Sequence, residues 1–192
     1  MLSERLQWNR KYRRETFAAH PSPIVETYAR LAPVGRALDV ACGNGRNACY
    51  LAGLGFAVDA VDIAVEGLNR FVCRHAGIHR ICADLDLFDI PRGRYSLIVN
   101  IRYLNRRLFP ALREGLCRGG LLIFESYRTE PAGTTSGPHR SEHLLRPDEL
   151  RKAFSPLRII AYQEHPSRQE DTPSMKASMV AIRPDGLPRE RF

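Results

Sequence analysis

Short apolar runs alternate with amphipathic helical stretches along the chain. This pattern predicts an α/β fold: a mostly parallel sheet of seven strands with helices on both faces. Two further features refine it. A glycine turn follows the first apolar run directly, at Gly43-Asn44-Gly45, as in open sheets that bind a ligand at the carboxyl ends of their strands. The last two runs are separated by a polar stretch holding Pro166 and Pro173, with no helical pattern between them. An antiparallel strand pair closing one sheet edge is therefore expected. The length of 192 residues suits a single domain, residues 1–192.

In chain order, residues 1–34 are expected to form a helical cap, including a helix over 24–31. A strand at 36–41 follows, then the glycine turn and a helix over 44–54 closed by Gly55. The spacing predicts a strand at 57–63, a helix at 65–75 and a third strand at 80–83. After a loop with Pro91 and Gly93 come a strand at 96–101, a helix at 108–116, Gly119-Gly120 and a strand at 121–126. Residues 128–143 are rich in Gly, Pro, Thr and Ser and read as a long surface loop. Pro147 opens a helix over 148–154 with acids in its first turn. Strands 157–163 and 176–183 end the sheet, and 184–192 is expected to be a frayed tail.

The composition, 44% hydrophobic and 26% charged, is that of a globular protein. No apolar run approaches the ~20 residues of a membrane span, and the N-terminal residues lack the apolar core of a secretory leader. The cytoplasm is the expected compartment, with no membrane partner. The five cysteines contain no CxxC pair and lie in apolar stretches, so they are expected to be separate thiols acting as small hydrophobes. Cys73, His75, His79 and Cys82 have ligand-like chemistry. They would straddle a helix end, a turn and a strand, so no metal site is expected. The net charge of +8 is carried almost wholly by arginine. It allows association with nucleic acid, but the arginines are scattered rather than massed.

The sequence Leu38-Asp39-Val40-Ala41-Cys42-Gly43-Asn44-Gly45-Arg46-Asn47 carries most of the functional information. Its two glycines let the main chain turn tightly and let a ligand approach closely. Gly43-x-Gly45-x-x-Ala48 also satisfies a dinucleotide fingerprint, so glycine spacing alone decides nothing. The acids decide between the readings. A pyrophosphate at this loop would be repelled by Asp39, whereas a ligand with a cationic end would be attracted. Asp62, at the end of the second strand, suits the two hydroxyls of a ribose. Asp59 lies three residues earlier, faces the opposite side and is excluded. Asp84, after the third strand, suits an adenine amino group with Leu85 on the ring. Asp86 is the alternative if the register is displaced.

These segments, with Val61-Asp62-Ile63-Ala64 and Ala83-Asp84-Leu85, resemble the class I S-adenosylmethionine-dependent methyltransferases. More narrowly they resemble the tellurite-resistance, thiopurine-methyltransferase-like branch, where D-x-x-C-G-x-G-R-N is characteristic. Trp8-Asn9-Arg10-Lys11-Tyr12 is similar to an N-terminal element that closes over the cofactor in that branch. Residues 143–154 and 176–184 resemble its later elements. Ala41 departs from the pattern, standing where many such enzymes have a first glycine. The resemblance implies a Rossmann-like fold, S-adenosyl-L-methionine as cofactor and S-adenosyl-L-homocysteine as product. The implied cofactor contacts are Trp8, Tyr12 and Arg13 from the cap, Asp39, Ala41, Gly43, Gly45 and Asn47 at the loop, Asp62, Ile63, Asp84 and Leu85 beyond it, and Asn100.

Methyl transfer from a sulfonium needs alignment and water exclusion more than a universal catalytic group. Asn100 and Tyr103, after the fourth strand, are expected at the reacting centre, with Arg102, His20 and His139 as further substrate contacts. Asn100-Ile101-Arg102-Tyr103 lacks the two prolines of base-amino methyltransferases, and no Pro-Cys dipeptide supports cytosine-C5 chemistry. The expected acceptor is a small molecule of thiol, oxyanion or carboxylate type. An RNA or protein acceptor using the basic surface is the alternative, and a non-catalytic cofactor-binding or NAD-binding module is more remote.

Overall fold

The computed structural model describes residues 2–129, 141–166 and 174–185. Seven strands form one sheet in the order β3-β2-β1-β4-β5-β7-β6. They are β1 (Arg36–Val40), β2 (Ala57–Asp62), β3 (Ile78–Cys82), β4 (Tyr95–Ile101), β5 (Leu116–Arg128), β6 (Arg158–Pro166) and β7 (Met175–Ile182). Strands β1 to β5 run parallel, while β7 pairs antiparallel with both β5 and β6. The expected antiparallel closing pair is present, formed by β6 and β7 at one edge of the sheet.

Six α-helices cover the sheet: α1 (Leu2–Arg14), α2 (Pro23–Tyr28), α3 (Arg46–Gly53), α4 (Val65–Asn69), α5 (Phe109–Gly115) and α6 (Glu149–Ala153). The alternate residues of each central strand feed two separate apolar layers. Val58, Leu97, Val99, Leu121 and Ile123 pack with Val25, Leu51 and Leu68 of α2, α3 and α4. Leu38, Ile98, Leu122 and Phe124 pack with Leu112 of α5 and Leu150 of α6. Both faces of the central parallel strands β1, β2 and β4 are therefore buried, which explains why they read as near-continuous apolar runs, while the edge strand β3 stays largely exposed. The second layer is anchored by Phe109, Phe124 and Phe154, whose ring centroids lie 5.2–5.8 Å apart. Arg106 closes that side by gripping Glu149 through two hydrogen bonds of 2.6 and 2.9 Å.

Three expectations change. Helix α4 stops at Asn69 rather than residue 75. Arg70 then hydrogen-bonds the Arg13 and Glu15 carbonyls, and Phe71 turns onto the glycine loop, so tertiary contacts end the helix. Strand β5 begins at Leu116 and takes in Gly119-Gly120, which the sequence places before the strand. The cysteines also differ. Cys49 on α3 and Cys73 after α4 form a disulfide, with Cα atoms 6.0 Å apart. Of the remaining thiols only Cys42 is buried, and Cys82 is exposed. The pairing arises because β2 and α4 fold back beside α3, a proximity invisible in spacing alone. Among the described residues no metal-binding cluster occurs, and no helix is long and apolar enough to cross a membrane. The expected loop at 128–143 and tail at 184–192 lie mostly outside the described residues.

Phe154 is fully buried at the meeting point of α6, β5 and α5. Phe154→Ala is expected to destabilise the fold by about 3–5 kcal/mol, measurable as a lower denaturant midpoint with an unchanged slope.

Candidate active site

The turn after β1 is held by two buried carboxylates. Asp62, at the end of β2, accepts the Gly43 N–H on Oδ2 at 2.8 Å and the Ala64 N–H on Oδ1 at 2.8 Å. Asp39, at the end of β1, accepts the Ala48 N–H at 3.0 Å and so fixes the first turn of α3. Gly43 and Gly45 both take left-handed backbone, φ 58° and 72°. A Cβ at Gly43 would collide with the Tyr12 hydroxyl, and one at Gly45 with the Phe71 ring. Ala41 shares the left-handed region at φ 52°. The departure from glycine at this position therefore costs about 1 kcal/mol of backbone strain.

Burial dominates the electrostatics. Asp39 is 1% exposed and its pKa is raised to about 7, first by desolvation, against the pull of the Ala48 N–H and of Arg46. Desolvation also raises Asp62, countered by its backbone donors. Tyr12 is pushed upward by burial and by the nearby Asp62, so its phenol stays a hydrogen-bond donor. Two buried acids beside a glycine turn make a place that favours a cation and disfavours a phosphate.

The cap helix α1 lies over this turn. Tyr12 is its buried residue and stacks on Phe17 at 4.3 Å. Trp8 is 42% exposed and stands 6.2 Å from the Tyr12 ring. Arg13 points to α4, where it holds Glu66 at 2.8 and 3.0 Å. Asn47 is turned toward α2, accepting the Ser22 N–H at 2.9 Å. Ile63 and Asp84 line a cleft of about 200 Å³ at the carboxyl ends of β2 and β3, closed on the other side by Leu2 and Arg5 of α1. Leu85 is turned into the core, 5% exposed. Asp86 accepts the Asn105 side-chain amide at 2.7 Å. As expected, Asp59 serves elsewhere, bonded to Arg36 and Tyr95 on the other face of β2.

At the end of β4, Asn100 is 1% exposed and donates to the Tyr103 carbonyl at 2.7 Å. That bond shapes the turn, in which Arg102 takes φ 60°. Tyr103 is partly buried and lies 3.5 Å from the Asn105 side chain. The His20 carbonyl receives the Arg46 guanidinium, which also donates to the Ser22 hydroxyl at 2.9 Å. His139 lies outside the described residues. Arg46 and Glu125 were missed in the sequence. Arg46 sits within electrostatic range of Asp39, Arg102 and Glu125 together. Glu125 ends a run that reads as ordinary strand, and only the pairing of β5 with β4 and β7 reveals it.

The folded state keeps the Asp39 proton up to about pH 7, whereas the unfolded chain loses it near 3.8. Between these values the folded state binds the extra proton, so stability falls as pH rises through that window and levels above it. Asp39→Asn keeps the acceptor for Ala48 and is expected to flatten this decline. Melting temperatures of both proteins from pH 4.5 to 8 check it, and parallel curves would refute it.

A family model described as tellurite resistance protein TehB matches residues 4–106. No curated protein matches the chain significantly. Among solved structures, TehB from Haemophilus influenzae superposes with a TM-score of 0.68 at 18% identity, covering 93% of this chain and 66% of that one. The chain thus spans just under two thirds of that protein. An S-adenosylmethionine-dependent methyltransferase from Mesorhizobium loti gives 0.65 at 21% identity, over 84% of this chain and 96% of that one. Phospholethanolamine N-methyltransferase 2 from Haemonchus contortus, solved with phosphomonomethylethanolamine and S-adenosylhomocysteine, gives 0.65 at 15%, over 84% of this chain and 52% of its own. With the glycine turn, its two buried acids and the sheet order, these matches show that the chain belongs to the TehB family of tellurite resistance proteins and has the fold of the class I S-adenosylmethionine-dependent methyltransferases.

Proposed function

We propose that the protein is an enzyme that transfers the methyl group of S-adenosylmethionine to a small acceptor of thiol, oxyanion or carboxylate type. The observation that carries the acceptor class is the cationic rim beside the glycine turn. Arg46, anchored on Ser22, holds its proton less firmly because burial, and then the charge of Arg102 in its left-handed turn, act against it. Lys176 stands behind them, 3% exposed, 3.9 Å from Glu125 and over the Tyr127 ring. Like charges gathered this way favour an anionic partner.

S-adenosylmethionine supplies an electrophilic methyl group on a sulfonium. The chain's part is to hold, orient and exclude water. Asp62 would take the ribose hydroxyls on lone pairs left by its two backbone bonds, and Asp39 would face the cationic end. The cleft at Ile63 and Asp84 would take adenine under α1. Arg13 serves the cap by tying α1 to α4. Asn100 and Tyr103 border the reacting centre, and the small phosphorylated ligand of the Haemonchus relative fits an acceptor of this size.

Asp62→Ala is expected to weaken S-adenosylhomocysteine binding by about 1.5–3 kcal/mol in calorimetric titration, and unchanged affinity would misplace the ribose. For the acceptor, labelled S-adenosylmethionine is offered with thiols, small carboxylates, inorganic oxyanions, RNA and protein. Incorporation into a small anionic or thiol acceptor is expected. In Arg46→Ala its KM should rise about tenfold, the effect of one lost charge-assisted hydrogen bond. Label entering only RNA or protein would overturn the small-molecule reading.

A further inference from the structure

Glu125, Ser178 and His165 come from three adjacent strands and form one hydrogen-bonded chain. Glu125 lies at the carboxyl end of β5 on the same face as Leu121 and Ile123, the face covered by α2 and α3. The Arg102 N–H bonds its carbonyl at 2.7 Å, and its charge acts on Arg46, so it borders the proposed acceptor side. The Ser178 hydroxyl, on β7, donates to Glu125 Oε2 at 2.9 Å. His165 Nε2, on β6, stands 3.0 Å from the same hydroxyl. His165 Nδ1 lies 3.0 Å from the Pro166 carbonyl.

Counting protons along this chain is informative. A carbonyl only accepts, so Nδ1 carries a hydrogen. The Ser178 hydroxyl has one hydrogen for two neighbours that both accept when the acid is ionised and the imidazole neutral. With three protons shared among Glu125, Ser178 and His165, every contact is satisfied in two ways. In one, an ionised Glu125 accepts from Ser178, which accepts from an imidazolium Nε2–H. In the other, a protonated Glu125 donates to Ser178, which donates to the bare Nε2 of a neutral imidazole. The two differ only in the positions of protons, and no heavy atom moves between them.

We propose that Glu125 is the proton acceptor for the methyl acceptor and that Ser178 and His165 carry that proton away. This rests on the reading of the protein as a methyltransferase for small acceptors. A protonated thiol or hydroxyl, X–H, gives its proton to the Glu125 carboxylate as its electron pair forms the bond to the methyl carbon. The carbon–sulfur bond of the sulfonium breaks, and the pair stays on sulfur as the neutral thioether. The Glu125 proton moves to Ser178 as the Ser178 proton moves to His165 Nε2. That shift leaves Glu125 ionised and His165 an imidazolium, which then releases one proton to water, restoring the neutral imidazole and balancing the reaction. Glu125 is catalytic in this scheme, and Ser178 and His165 act through it. The charged and titratable groups near Glu125, besides His165 through Ser178, are Lys176 on β7 at 3.9 Å, Tyr127 two residues along β5 beneath the Lys176 ammonium, Arg46 on α3 within range of its charge, and Arg102 after β4, whose backbone N–H bonds its carbonyl.

The test compares two acceptors that differ in acidity, 2-mercaptoethanol and 4-nitrothiophenol, the second already a thiolate at neutral pH. In Glu125→Gln, kcat for 2-mercaptoethanol is expected to fall about 100-fold, while that for 4-nitrothiophenol changes little. Ser178→Ala should show the same selective loss, with its pH profile displaced for the alkyl thiol alone. S-adenosylhomocysteine affinity should stay within about twofold in both variants, since neither residue touches the cofactor side. Nitrogen NMR of the His165 imidazole supplies a readout independent of turnover. Both variants should displace its titration, because both cut it from the carboxylate. Equal slowing of the two thiols, or a His165 titration indifferent to both substitutions, would overturn the proposal. A wild-type protein that binds S-adenosylhomocysteine yet methylates neither thiol would refute the thiol class instead, and the imidazole titration would still decide the proton chain.

Discussion

The Asp62 carboxylate joins the two strands on which the site is built. One oxygen holds the Gly43 N–H after β1, and the other holds the Ala64 N–H after β2. Parallel strands share no hairpin, so the connections at their carboxyl ends have no local means of keeping a fixed distance. A carboxylate bridging the two ends provides it. The left-handed residues of the turn, Ala41, Gly43 and Gly45, hold their conformation because this bridge and the Asp39–Ala48 bond determine it from both sides. Tyr12 then finds a fixed surface at Gly43, and the cap helix has something to close upon.

The same arrangement carries an electrostatic cost. Desolvation raises the affinity of both buried acids for protons, and the charge of Asp62 adds to it at Asp39. Such a cost persists where a ligand removes it, and a cationic ligand does so. That separates this turn from a pyrophosphate-binding loop with the same glycine spacing, where the helix N-terminus alone would set the field. The acceptor side is the reverse in sign. Arg46 lies within range of the charges of both Arg102 and Glu125, and Lys176 stands 3.9 Å from Glu125, so positive charge gathers near a single acid. In the proposed reading, cofactor and acceptor would meet across a change of potential at the carboxyl ends of the parallel strands.

Much of the frame was legible in the residues. The seven strands, the closing antiparallel pair and the placing of acids around a glycine turn follow from apolar runs, glycine placement and the charge of side chains at strand ends; that Asp39 and Asp62 hold the turn through backbone N–H groups was not legible. Those features are local, and the sheet reproduces them within about three residues, apart from the early start of β5 at Leu116. The segment after α4 was not legible, because Phe71 and Arg70 leave the helix to pack on the glycine loop and the cap. Nor was the cysteine pairing, since 24 residues separate Cys49 from Cys73 and nothing in that spacing marks them as neighbours.

By its sequence alone the chain determined the number and directions of its strands and the presence of a glycine turn set among acids, because hydrophobic periodicity and backbone permissiveness act over a few residues. Tertiary structure decided which side chains face one another. It turned Leu85 into the core, sent Arg13 to Glu66 and Asn47 to Ser22, and placed Glu125, Ser178 and His165 in one hydrogen-bonded line. The reason is geometric. Strand register and the docking of helices fix contacts between residues tens of positions apart, and a linear pattern carries no measure of those distances.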